Sequence, residues 1–146
     1  MYAFTYLCAM DRIYDINQVG EIAADLVKQF GSKTVWAFHA PMGAGKTTLI
    51  ASIGKEMGIE DAITSPTFAL MNQYDAAGKM VYHMDWYRLE KETDAARAGM
   101  EAAFEEADFC FVEWPEKAMG LLPVDTQHFE IEILDPEHRR IFIPSL

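Results

Sequence analysis

Between an apolar run, Val35-Trp36-Ala37-Phe38, and a helical pattern, Leu49-Ile50-Ala51-Ser52-Ile53-Gly54, lies the segment Ala40-Pro41-Met42-Gly43-Ala44-Gly45-Lys46-Thr47-Thr48. Strand, glycine-rich turn and helix in that order constrain the fold more than any other stretch of the chain. They are the context in which Gly-Lys-Thr reads as a phosphate-binding loop. Small residues let the backbone wrap closely, so that N–H groups point inward at phosphate oxygens. The start of the following helix adds unsatisfied donors and the positive end of its dipole. Lys46 brings a mobile charge to the outer phosphates, and the Thr47 hydroxyl is a candidate ligand for Mg²⁺. The stricter motif begins with glycine where this chain has Ala40; alanine fits that turn provided its φ is negative. The plain alternative is a turn that binds nothing.

Two later strand ends carry acids. Phe109-Cys110-Phe111-Val112 runs into Glu113-Trp114-Pro115. Four apolar residues followed by an acid form the second signature of P-loop nucleotide hydrolases, the acid that holds Mg²⁺ or its water. Met80-Val81-Tyr82-His83-Met84 delivers Asp85-Trp86-Tyr87-Arg88-Leu89, and carboxylates at strand ends are where α/β sheets bind ligands. A helix-capping or salt-bridged aspartate is the alternative for Asp85. Thr64-Ser65-Pro66-Thr67-Phe68 reads either as turn chemistry or as a segment whose hydroxyls sense a γ-phosphate or its metal. His39, just before the loop, reads as a packing or hydrogen-bonding residue rather than a catalyst.

The rest of the chain supplies a frame for these groups. Tyr2 to Ala9 reads as a first strand. Asp15 or Asn17 caps a helix whose apolar positions are Val19, Ile22, Ala23, Leu26, Val27 and Phe30, ended by Gly31. After the loop, a helix runs to about Met57 and stops at Gly58. A strand through Leu70 and Tyr74 pairs with Met80–Met84 as a hairpin. Thr93 or Asp94 caps a helix containing Ala98, Ala102 and Phe104. A short helix is expected from Glu116 to Leu122. Phe129, Ile131 and Ile133 alternate with Glu130 and Glu132 as a half-buried strand, and Arg139 to Ile143 closes an antiparallel hairpin. The expected fold is one three-layer α/β domain, residues 1–146, of the P-loop NTPase kind, its sheet mostly parallel with antiparallel additions.

Composition excludes several classes. At 146 residues and 51% hydrophobic, the chain has enough apolar material for a core and is not disordered. No apolar run approaches the roughly 18 residues of a membrane span, and no secretory leader is visible at the N-terminus. Cys8 and Cys110 share no metal-ligand or redox spacing, so two reduced thiols in a cytoplasmic protein are expected. A formal charge of −11 argues against gripping nucleic acid unaided. The acids crowd between Asp85 and Glu116, as a solvated face or as a docking face for a basic partner. No Asn-Lys-x-Asp element specifies guanine, which favours ATP over GTP.

Four segments in order and spacing then resemble the bacterial TsaE family: Gly43-Ala44-Gly45-Lys46-Thr47-Thr48-Leu49, Ser65-Pro66-Thr67-Phe68, His83-Met84-Asp85-Trp86-Tyr87-Arg88-Leu89 and Val112-Glu113-Trp114-Pro115-Glu116. The likeness runs from about Asp15 to Ile143. It implies a small ATPase of the pathway that makes threonylcarbamoyladenosine in tRNA, using ATP and Mg²⁺ and working with TsaD and TsaB, which would hold the tRNA. By the resemblance, Thr47 and Glu113 hold Mg²⁺, Lys46 neutralises phosphates and Asp85 orients or activates water. Gly43 through Thr48 form the cradle, Ser65 and Thr67 the switch, and Trp114 sits beside the nucleotide or the TsaD interface. The chain differs from the family at Ala40-Pro41-Met42, where Gly-Asp-Leu is usual. Two other classes stay open: a small-molecule or nucleotide kinase, and a nucleotide-gated binding module that does not hydrolyse.

Overall fold

The computed structural model describes residues 10–66, 70–97 and 99–146. Among these, seven strands form one sheet in the order β1-β7-β6-β2-β5-β4-β3. The strands are β1 (Asp11–Asp15), β2 (Val35–His39), β3 (Met71–Ala76), β4 (Lys79–Asp85), β5 (Phe109–Glu113), β6 (Gln127–Ile133) and β7 (His138–Phe142). The central four, β6, β2, β5 and β4, run parallel. The outer pairs β1–β7, β7–β6 and β3–β4 are antiparallel. The antiparallel additions therefore lie at both edges of a parallel centre. The strand expected at Tyr2–Ala9 lies outside the described residues.

Helices cover both faces, which makes three layers. On one face α1 (Val19–Phe30) packs beside α2 (Lys46–Met57). The other face carries the short α3 (Glu92–Arg97) and α4 (Met100–Glu106). Period-2 alternation sorts the strand residues between them. Trp36, Phe38, Phe111, Phe129 and Ile131 face α1 and α2 with Ile22, Leu26, Leu49 and Ile53. Val35, Ala37, Cys110, Val112 and Met84 face α3 and α4 with Trp86, Ala95, Met100 and Ala103. β2 is buried along Val35–Phe38, as a strand with helices on both faces must be. Edge-to-face ring pairs join Phe129 to Phe30 at 5.2 Å and to Trp36 at 5.5 Å.

Local chemistry sets the element ends. Asp15 accepts from Asn17 N while its own N–H donates to the Gln18 side chain, a capping box on the single 3-10 turn that leads into α1. α2 stops at Gly58, whose φ of 100° no other residue type takes cheaply. Three expectations need correction. No continuous helix runs from Asp94 through Phe104. Gly99 at φ 80° separates α3 from α4, and Asp94 reaches back to the N–H groups of Glu90 and Lys91. The helix expected at Glu116–Leu122 is instead two 3-10 turns, Pro115–Lys117 and Met119–Leu121. Ile133, expected inside, is 42% exposed at the end of β6. No helix among the described residues is long and apolar enough to cross a membrane.

Candidate phosphate-binding site

The loop between β2 and α2 leaves the C-terminal end of the most central strand, with parallel neighbours on either side. Gly43 and Gly45 take φ of 80° and 88°, the left-handed region that curls the chain into a cradle. Ala40 does not have a positive φ, so alanine at the head of the motif is accommodated. Leu49 N donates to Gly45 O, which starts α2 immediately after the loop. A cavity of about 230 Å³ sits in the concavity. Gly43, Ala44, Gly45, Lys46, Thr47 and Thr48 form one wall; Ser65, Asp85, Glu113 and Trp114 close it. Ten of the eleven residues singled out from sequence therefore meet at one place. The eleventh, Thr67, lies outside the described residues.

The polar groups are wired to one another. Thr47 Oγ1 donates to Glu113 Oε1 at 2.9 Å. Because that hydroxyl has a single proton, Ser65 Oγ, also at 2.9 Å, donates to Thr47. Glu113 is buried, and its second oxygen accepts from His83 Nε2 at 3.1 Å. A carboxylate only accepts, which assigns the proton to Nε2 and leaves the buried His83 Nδ1 without a partner among the described residues. His83 and Asp85 share one face of β4 by period 2, and Glu113 pairs with Asp85 in register on β5. Thr47 and Glu113 thus present adjacent oxygens of the kind that hold a hard divalent cation.

Lys46 is nearly buried, and desolvation lowers its pKa, with Glu113, Glu116 and Asp85 pulling the other way. Its ammonium donates to Ala40 O at 2.7 Å and lies 3.8 Å from the centre of the Trp114 ring. Trp114 itself has φ 57°, a left-handed conformation costing roughly 1–3 kcal/mol in a bulky residue, and its ring also meets Tyr87 at 5.0 Å. Burial raises the Asp85 carboxyl above its ordinary value and Glu113 adds to this, while the Tyr87 N–H opposes it. His39 is a hydrogen-bonding residue: its Nε2 is 2.8 Å from His128 Nδ1 and its Nδ1 is 3.6 Å from Glu116.

A second cavity, about 510 Å³, opens on the other side of the loop. Tyr14, Asp15, Asn17, Thr48 and Arg139 line it. Burial pushes the Tyr14 hydroxyl up to about 12, so Tyr14 stays uncharged among Asp15, Glu137 and Arg139. Sequence reasoning gave no role to Tyr87, His83 or Arg139. His83 was detectable from its period-2 relation to Asp85. Arg139, some 95 positions from the loop, had no local signal.

Comparison with known proteins points the same way. The family described as threonylcarbamoyl adenosine biosynthesis protein TsaE matches residues 13–141. The chain is 36% identical over 104 residues to the tRNA threonylcarbamoyladenosine biosynthesis protein TsaE of Haemophilus influenzae, covering 70% of this chain and 66% of that protein. It therefore spans just under two thirds of that relative's length. To the protein of the same name from Treponema pallidum it is 30% identical over 137 residues, covering 93% of this chain and 98% of the other. The crystal structure of Bacillus subtilis YdiB superposes with a TM-score of 0.67 at 25% identity, over 91% of this chain and 84% of that one. With the match running from Ile13 in β1 to Ile141 in β7, through every element that builds the loop and its surroundings, the chain belongs to the TsaE family.

Proposed function

We propose that this chain binds Mg²⁺-ATP at the loop and hydrolyses it as the ATPase of tRNA threonylcarbamoyladenosine synthesis, weakly alone and faster with TsaD- and TsaB-type partners. The observation that carries this reading is the 2.9 Å contact of Thr47 Oγ1 with Glu113 Oε1, directly beside the cradle and Lys46. It sets a carboxylate and a hydroxyl side by side at the mouth of the loop, with His83 holding the far carboxylate oxygen, and oxygens so placed suit a hard cation next to phosphates.

In this reading Lys46 exchanges Ala40 O for phosphate oxygens, keeping its charge in a desolvated setting where it counts for more. Thr47 and Glu113 hold Mg²⁺, with His83 fixing the Glu113 carboxylate from behind. The chemistry that Mg²⁺ would supply there is positive charge against the phosphates. Asp85, its carboxyl raised by burial, accepts a hydrogen bond from the attacking water. Ser65 reports on the Thr47 hydroxyl. The 510 Å³ cavity takes base and ribose, since it adjoins Ala44, Gly45 and Thr48.

The test is Mg²⁺-ATP hydrolysis by the chain alone and with its organism's TsaD and TsaB, for wild type and Lys46→Ala. Stimulation by the pair is expected, and Lys46→Ala should lower the stimulated rate at least about a hundredfold, roughly 3 kcal/mol of transition-state stabilisation. Equal rates in the two proteins, or phosphoryl transfer to a small acceptor in place of hydrolysis, would overturn the proposal.

A further inference from the structure

The outer side of the loop is gripped by a residue from the far end of the chain. Arg139, the second residue of β7, donates from Nε to Ala44 O at 3.2 Å and from Nη2 to Gly43 O at 3.4 Å. Its Nη1 donates to Asp135 O at 2.8 Å and to His138 O at 3.1 Å. All three guanidinium nitrogens end on main-chain carbonyls, two of them in the loop. β7 is paired on both sides, to β1 and β6, so the root of this side chain is anchored in the sheet.

Peptide planarity turns this grip into a statement about the cradle. In a trans peptide the carbonyl and the following N–H point to opposite sides. Holding Gly43 O and Ala44 O outward therefore aims the N–H groups of Ala44 and Gly45 toward the concave side. Ala44 N–H accordingly turns across the loop to Pro41 O at 3.3 Å. Ala44 is fixed at its own side chain, which is buried in the core, but the residues on either side of it are not held in that way. Gly43 and Gly45 have wide conformational basins, and a Cβ at either would meet nothing within 4 Å.

We propose that Arg139 is a positioning residue that clamps the outer side of the phosphate-binding loop and so ties nucleotide affinity to the β6–β7 hairpin. The proposal rests on the reading of the loop as a nucleotide site. A lysine at 139 would keep the charge and lose the clamp, because one ammonium on a flexible stem lacks the planar fork that meets two carbonyls at once.

The experiment is ¹⁵N relaxation on nucleotide-free wild type, Arg139→Lys and Arg139→Gln, followed by calorimetric titration of each with Mg²⁺-ATP. In both variants the order parameters of Gly43, Ala44 and Gly45 should drop from the rigid range near ~0.85 toward ~0.6. Those of Val19–Phe30 and Phe109–Glu113 should stay put. A tenfold fall in the ordered fraction of the loop raises the apparent Kd about tenfold, which is the expected weakening. Wild-type loop order in either variant, or a wild-type Kd in Arg139→Lys, overturns the clamp. Loss of order spread through the sheet also overturns it, since Arg139 would then be holding the fold. Should Arg139→Gln not fold, Arg139→Lys alone decides. If wild type itself fails to bind Mg²⁺-ATP, the nucleotide reading falls, and the relaxation data still judge the clamp.

Discussion

Asp85 works against the fold that presents it. Burial and the nearby Glu113 raise its carboxyl above the ordinary value, so the folded chain takes up this proton more readily than the unfolded one. At pH values above the folded pKa, where both states are ionised, that difference is a stability deficit. Asp85→Asn is accordingly expected to raise the thermal midpoint at pH 7, and the gain should fade as pH falls through the carboxylate range. Hydrolysis should slow in the same variant. Calorimetry across pH 3–7 checks this, and an unchanged or lower midpoint at pH 7 would contradict it. Lys46, Thr47, Asp85 and Glu113 were readable in the sequence because each is fixed by a local pattern: a loop, or the last residue of an apolar strand. Arg139 was not, because what it does depends on a neighbour that only the tertiary fold supplies.

At the level of elements, β2 and β6 are joined by more than their ladder. His39 Nε2 meets His128 Nδ1 at 2.8 Å, a contact that holds one proton, not two. Burial, and then the proximity of His39, lower the His128 pKa below its ordinary 6.5. The unfolded chain therefore protonates first, and stability should decline as pH drops below about 6.5 toward the folded value. Thermal melts at pH 5 to 7.5 should show this slope in wild type and a shallower one in His128→Gln; equal slopes would remove His128 as the cause. Elements with strong periodicity, α1, α2, β2 and β5, were legible from sequence. The break between α3 and α4 was not, because Ala-rich stretches favour helix and Gly99's φ of 80°, which marks the break, is not visible in the sequence. The 3-10 turns after Pro115 escaped for a related reason. They are too short for any period to register.

For the molecule as a whole, the two apolar layers meet the sheet from opposite sides, and Phe129 is the joint of the larger one. Fully buried on β6, its ring contacts Phe30, Trp36 and Phe38. Phe129→Ala should cost about 3–5 kcal/mol in urea unfolding. A loss below about 1 kcal/mol would mean that the site collapses around the missing ring and is looser than the structure has it. The α/β class could be inferred from the alternation of elements. Strand order could not, since β2 lies between two strands that come much later in the chain, and neither partner is marked by anything near residue 35.

That order has a consequence for synthesis. Both partners of β2 are made after it: Phe109–Glu113 on one side and Gln127–Ile133 on the other. At 5–20 residues per second, about 5–20 s separate the emergence of β2 from that of its last partner. Through that interval Trp36 and Phe38, fully covered in the finished protein, have no sheet to cover them. Nascent chains arrested before Gln127 should be cut rapidly by added protease, whereas chains extended past Phe142 should resist. The centre of the sheet is thus closed only when β6 has emerged, and the β1–β7 edge, with the Arg139 that grips the glycine-rich loop, closes after it.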